Sequence, residues 1–293
     1  MSSFLLQLML VPFLACIVLV LIHSYLGIHV LARGVIFVDI ALAQIAALGT
    51  TVALLSGFEH DTPQAYLCSL AFTFVGAAIF ALSRSLRERV PQEAFIGITY
   101  AVASAAAILV IDKSESGHGA EQIREILVGN LLTVTPKHIA ITAAIYAAVG
   151  VFHAVFRKKF LAISFHPDAP EQKTTAAMFW DLAFYMSFGF VITSSVQIAG
   201  VLLVFTFLIV PAVFAAMFAN ALRARLLLSW AFGIAVAGLG TLASLQLNMP
   251  TGAAIVVTFG IALVVASVAR AVMTRLGVAT GDSALEAAAH NRH

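Results

Sequence analysis

GIHVLARGVIFVDIALAQIAALG, residues 27–49, contains Arg33 and Asp39 as its only Asp, Glu, Lys or Arg, and almost everything else in it is apolar. Placing a charge inside hydrocarbon costs roughly 2.5–3.5 kcal/mol even on lenient insertion scales, so a carboxylate held in such a helix faces a polar path or a partner. Arg33 then reads as a loop charge before a membrane span, and Asp39 lies just inside that span.

The rest of the chain repeats this pattern. Of its 293 residues 61% are hydrophobic and only 10% charged, whereas soluble domains are nearer a quarter charged. Apolar runs long enough to cross a ~30 Å core as helices cover 4–26, 35–56, 64–83, 93–111, 137–156, 178–196, 198–219, 226–246 and 251–272. The expectation is an all-α integral membrane protein, a polytopic bundle of about nine transmembrane helices. Pro63, Pro91, Pro136 and Pro250 stand just before spans, where a missing N–H does no harm. Pro12 and Pro211 lie inside spans and predict a kink or a close helix contact.

Basic residues concentrate in cytoplasmic loops. Here Arg33, the Arg84/Arg87/Arg89 cluster, Arg157, Lys158, Lys159, Lys173, Arg223, Arg225, Arg270, Arg275 and Arg292 fall in alternate loops and account for 13 of the 16 Lys and Arg. That places the amino terminus outside and the carboxyl terminus inside. A single transmembrane domain over 1–275 and a polar cytoplasmic tail over 276–293 follow, with the first span retained. The segment 121–134, EQIREILVGNLLTV, suits a short interfacial amphipathic helix or a dip into the membrane. The inner connection 157–177 reads as a solvated linker or a docking loop. Cys16 and Cys68, both in apolar runs, are expected as free thiols.

Walker A, H-E-x-x-H, G-x-S-x-G and C-x-x-C patterns are absent from the sequence, so energy must come from a partner or a gradient. Asp39 and Gln44 are candidate ligands in a translocation path. Five helical steps place them about 140° apart on a regular α-helix, and a π-bulge would bring them together. The alternative is that Asp39 flanks the helix end while Gln44 bonds a neighbouring helix. Glu59, His60 and Asp61 offer oxygen and imidazole ligands at an outer mouth, or simply form a solvated acidic loop. His23, His29 and His153 read as hydrogen-bonded interfacial imidazoles, and Asp181 as a residue reaching the inner headgroups. Thr193, Ser194, Ser195 and Gln197 mark a turn between two spans.

Several segments together resemble the permease subunits of bacterial metal-uptake ABC transporters of the zinc, manganese and iron type. GVLLVFTFLIVPAVFA (200–215) is similar to the family's Gly-x-Leu-Leu-Val…Leu-Leu-Ile-x-Pro-Ala-x-x-Ala run, and RKKFLAISFHPDAP (157–170) to its Arg-Lys-x-Leu…Ser-Phe-Asp-Pro-Glu segment. QEAFIGITYAVASAAAILV (92–110) and EILVGNLLTVTPKHI (125–139) also match, in family order. The family's Gly-Asp-Ala-Leu-Ser-His core aligns with Asp39 and Gln44, but with one extra residue between them, Gln for His, and Val38 for Gly.

The resemblance implies an inner-membrane permease that imports a divalent metal, zinc or manganese, as its substrate, with no permanently bound cofactor and no nucleic-acid partner. It implies a homodimer, a separate cytoplasmic ABC ATPase docking at Phe165, His166, Pro167 and Asp168, and an extracytoplasmic metal-binding protein. Catalysis of ATP hydrolysis belongs to the partner. A proton-driven secondary carrier using Asp39, or an ABC permease for a metal chelate or small cofactor, are the competing readings.

Overall fold

The computed structural model describes residues 3–59, 62–86, 89–112, 129, 131–166, 169 and 174–276. Helices α1 (Ser3–Arg33), α2 (Val38–Leu55), α3 (Pro63–Ser83), α4 (Gln92–Asp112), α5 (Pro136–Val155), α6 (Arg157–Phe165), α7 (Thr175–Phe218), α8 (Leu222–Leu247) and α9 (Thr251–Arg275) follow one another, and no strand occurs among the described residues. Eight of them, all but α6, are long and apolar enough to cross a membrane.

Local chemistry sets the boundaries. The Thr62-Pro63 and Thr135-Pro136 pairs start α3 and α5. Each threonine side chain accepts from the N–H three residues on, Ala65 or His138, while the proline occupies the first turn, where its missing donor is harmless. Thr174 caps α7 in the same way. Gly34 ends α1 with φ 68°, and the N–H groups of Gly34 and Val35 return to Leu31 and Val30 carbonyls, a glycine-terminated helix end. Asn248, at φ 51°, closes α8 before Pro250 begins the next helix.

Two boundaries differ from expectation. α1 continues seven residues beyond the expected end at 26, so His29 and Arg33 are helical. α7 runs through both expected spans, 178–196 and 198–219, and is interrupted at Gly200, whose φ of 71° and ψ of 166° are non-helical. The break therefore falls at the glycine rather than at the polar stretch 193–197. Of the segment 121–134, residues 121–128 and 130 lie outside the described residues; Leu131–Thr133 form a 3-10 turn. The tail 276–293 lies outside them as well, except for Leu276.

The bundle packs around an apolar core into which polar side chains such as His23, Asp39, His153 and Asp181 are set, and its outer surface is apolar as well. Exposed Val257, Ile261, Val264, Val265 and Val268 recur at helical spacing on α9, as a lipid-facing stripe does. α1 and α7 form the centre. A Cβ at Gly27 would overlap the backbone carbonyl of Leu208, and one at Gly233 would meet Val20 at 2.6 Å and the Pro211 ring at 3.4 Å. Pro211 thus sits at a close helix contact, and its carbonyl accepts from Ser229 of α8 at 3.1 Å.

Candidate functional site

α2 places Asp39 in its first turn, among backbone N–H groups that favour negative charge. The residue is buried, 1% exposed, and neither carboxylate oxygen has a hydrogen-bond partner. Asp39 thus flanks the helix end without capping it, because the N-cap is Phe37 and no side chain caps this end. Gln44 is also buried. α2 is α-helical from Val38 to Leu55 without a π turn, so the two residues stand about 140° apart.

A second polar cluster lies between α1, α5, α6 and α7. His23 bonds Leu19 O through Nδ1 at 2.7 Å and Ser195 Oγ through Nε2 at 3.1 Å. Tyr146 OH is 2.5 Å from the same serine. His153 engages both ring nitrogens, Nδ1 with Tyr25 OH at 3.2 Å and Nε2 with Ser187 Oγ at 2.8 Å. His29 Nδ1 lies 2.9 Å from Ser164 Oγ, while its Nε2 is buried without a partner.

At the Arg33 end of the bundle, Asp181 is buried and takes Arg33 Nη1 on Oδ1 at 2.9 Å and Arg84 Nη1 on Oδ2. The Arg33 guanidinium also lies 3.8 Å above the Phe184 ring, and its Nε donates to Ser164 Oγ at 2.9 Å. One carboxylate therefore ties α1, α7 and the 3-10 turn Arg84–Leu86 together. Pairing and hydrogen bonding of this kind offset the desolvation cost of a buried charge.

Among the described residues, no basic side chain pairs with Asp39, in contrast to Asp181. No three His, Cys, Asp or Glu among the described residues converge to hold a metal.

Residues 5–270 match the ABC 3 transport family. The chain belongs to the ABC 3 transport family. This ABC 3 protein is 26% identical to a relative described as the manganese transport system membrane protein MntC of Listeria innocua, over 80% of this chain and 81% of that one. It is 24% identical to the manganese import system permease protein ScaB of Streptococcus gordonii, covering 84% and 85%. The solved structure described as PsaBC from Streptococcus pneumoniae in complex with Fab shares the fold, with a TM-score of 0.72, 23% identity, and 90% and 91% covered. The chain is thus a transport-family, multi-pass protein of the bacterial inner membrane, as its composition and order of motifs suggested.

Other expected residues of the ABC 3 chain divide. Glu59 is exposed; its carbonyl accepts from Thr62, and His60 and Asp61 lie outside the described residues. The linker 157–177 begins as α6, whose Phe160, Ile163 and Ser164 are buried against the bundle, so its first half is not a solvated loop. Phe165 packs edge-on to His29 with ring centres 5.8 Å apart, His166 is the exposed C-cap, and Pro167 and Asp168 lie outside the described residues. Thr193, Ser194 and Ser195 are buried helical residues, with Thr193 donating to Thr73 at 3.0 Å, and only Gln197 of that set is exposed. Cys16 and Cys68 are free.

The Asp181 triad corrects the sequence expectation, which sent Asp181 to the headgroups and treated Arg33 and Arg84 only as markers of sidedness. A usable signal was present. One carboxylate in an otherwise apolar span is as costly as Asp39, and two arginines at neighbouring span ends were the obvious compensating charges.

Proposed function

We propose that this chain is the membrane permease of a divalent-metal ABC importer, carrying manganese or zinc inward. Asp39 carries the reading: a buried carboxylate with both oxygens unpartnered is maintained against a cost of several kcal/mol, and a passing cation offsets that cost. Its oxygens, and a carbonyl oxygen from Gln44 met at a separate step, are hard donors that suit manganese better than zinc. The relatives described as manganese transport proteins point the same way.

A separate cytoplasmic ATPase supplies the energy, since the chain contains no Walker A loop. An extracytoplasmic binding protein presents the ion, and two copies of the chain enclose the path. The amino terminus is outside and the carboxyl terminus inside, following the one-sided distribution of Lys and Arg.

The test is multi-element metal accumulation in cells supplied with this chain, its ATPase and its binding protein, in wild-type and Asp39→Asn forms. The expected result is an ATP-dependent rise in one or two divalent metals that the variant abolishes, although it still inserts and binds the ATPase. Wild-type uptake by Asp39→Asn would remove the transport site. A wild-type chain that moves no metal under any condition would remove the metal reading itself.

A further inference from the structure

A cavity of about 650 Å³, open along one side, lies between α1, α5, α6 and α8, within the ~300–1,000 Å³ typical of small-molecule sites. Its α1 wall runs from Val18 to Ile28, about 15 Å of helix, which equals the hydrocarbon depth of one leaflet. The wall is almost wholly apolar. Its polar members are already engaged: Tyr25 with His153, His153 with Ser187, and Tyr146 with Ser195. No cation ligand faces the space unpaired, and the groove is chemically unlike the surroundings of Asp39.

One end is different. Arg157 and Arg223 both line the groove, both are exposed, and neither pairs with a carboxylate among the described residues. Each stands at a span end, Arg157 two residues after α5 closes and Arg223 in the first turn of α8. The helices that begin there, α6 and α8, have Phe156 and Ala221 as N-caps, with no side-chain cap bond; the Lys159 N–H bonds the Phe156 carbonyl, and the N–H groups of the residues before it are those a helix start leaves without an intrahelical acceptor. Two guanidiniums at span ends thus line the same leaflet-long apolar slot.

We infer that this groove is a binding site for an anionic glycerophospholipid, with an acyl chain in the slot and the phosphate between Arg157 and Arg223. Basic pockets between membrane helices select anionic headgroups by this chemistry. The site stands apart from the transported ion, and its test does not involve transport.

The experiment is native mass spectrometry of the purified full-length chain after reconstitution with equal phosphatidylglycerol and phosphatidylcholine of matched acyl chains. The wild type is expected to retain phosphatidylglycerol preferentially. Each arginine removed should weaken that preference roughly fivefold, so Arg157→Gln with Arg223→Gln should abolish it, and the double lysine variant should keep most of it. Gly150→Leu provides an independent arm, because a Cβ at Gly150 meets nothing within 4 Å and the larger side chain fills the slot with both arginines intact. It should lose the bound lipid. Equal retention of the two lipids by the wild type overturns the inference. So does phosphatidylglycerol enrichment unchanged in both the glutamine and leucine variants. A wild type that carries no lipid, with a second copy shielding the groove from cross-linking, overturns it as well.

Discussion

Gly129 lies directly against Gly200, and both hold left-handed backbones, with φ of 66° and 71°. A Cβ built on Gly129 would overlap the Ala199 carbonyl carbon and the Gly200 nitrogen. The residue that leads into the 3-10 turn at Leu131 therefore abuts the break in α7. A side chain at 129 would meet two penalties: about 1–2 kcal/mol for a left-handed non-glycine residue, and the displacement of a backbone that has no flexible end to yield. Gly129→Ala is expected to lower the thermal midpoint of the solubilised protein. Gly150→Ala, on an open helix face, should leave it unchanged or slightly raised. An unaltered midpoint for Gly129→Ala would mean that the contact is dispensable.

Asp181 joins three elements through two arginines while itself 1% exposed at its side chain. Removing one member of a buried ion pair costs about 3–5 kcal/mol, because the surviving charge keeps its desolvation and loses its partner. Asp181→Leu takes the shared carboxylate from both arginines and should sharply reduce folded yield and melting temperature. Replacing all three charges together, as Arg33→Met, Asp181→Leu and Arg84→Met, should restore much of the loss. Thermal melts of the single and triple variants decide this; a triple variant no more stable than the single would assign the stability to packing rather than charge.

Much of the scaffold was readable because membrane solvation acts locally. A span must be continuous and apolar, and threonine, proline and glycine mark its ends, so the borders of α3, α4, α5 and α9 fall within about one to three residues of the expected ones. Arg33 shows where local reading stops. It looks like a loop charge, yet the helix continues through it because its compensation comes from Asp181 and Ser164, more than 130 positions away. Similar separations, 135 and 128 positions, hide the bonds of His29 to Ser164 and of His153 to Tyr25. For Asp39 the sequence shows a lone carboxylate in an apolar run, and among the described residues no basic side chain pairs with it. The break at Gly200 was placed three residues early, since the polar run 193–197 resembles a turn but is absorbed by interhelical bonds such as Thr193 to Thr73.

Asp39 also predicts an opposition between stability and activity. A buried carboxylate with no hydrogen bond destabilises the fold, so Asp39→Leu should raise the thermal midpoint, by an amount corresponding to about 1 kcal/mol or more, while uptake is lost. Functional sites keep such costs where a purely structural position would not. Paired melts and metal accumulation of the same preparations check both halves. A destabilised Asp39→Leu protein would show that the carboxylate has a structural partner.

The end of α6 separates into two faces that a mutational series can distinguish. Phe165 is turned inward against His29, and Ser164 beside it bonds both His29 and Arg33, so this face belongs to the bundle. His166 is exposed at the helix C-terminus and opens the His-Pro-Asp stretch proposed to meet the ATPase. Replacing His166, Pro167 and Asp168 by glycines should reduce co-purification of the ATPase while the melting temperature of the isolated chain stays near wild type. Phe165→Ala should act in the opposite sense, destabilising the chain by about 3 kcal/mol or less, since the ring is only partly buried, while the folded fraction still captures the ATPase. If the glycine variant binds normally, the docking surface lies elsewhere. If both variants lose the ATPase in proportion to their loss of stability, α6 is a structural strut and has no recognition role of its own.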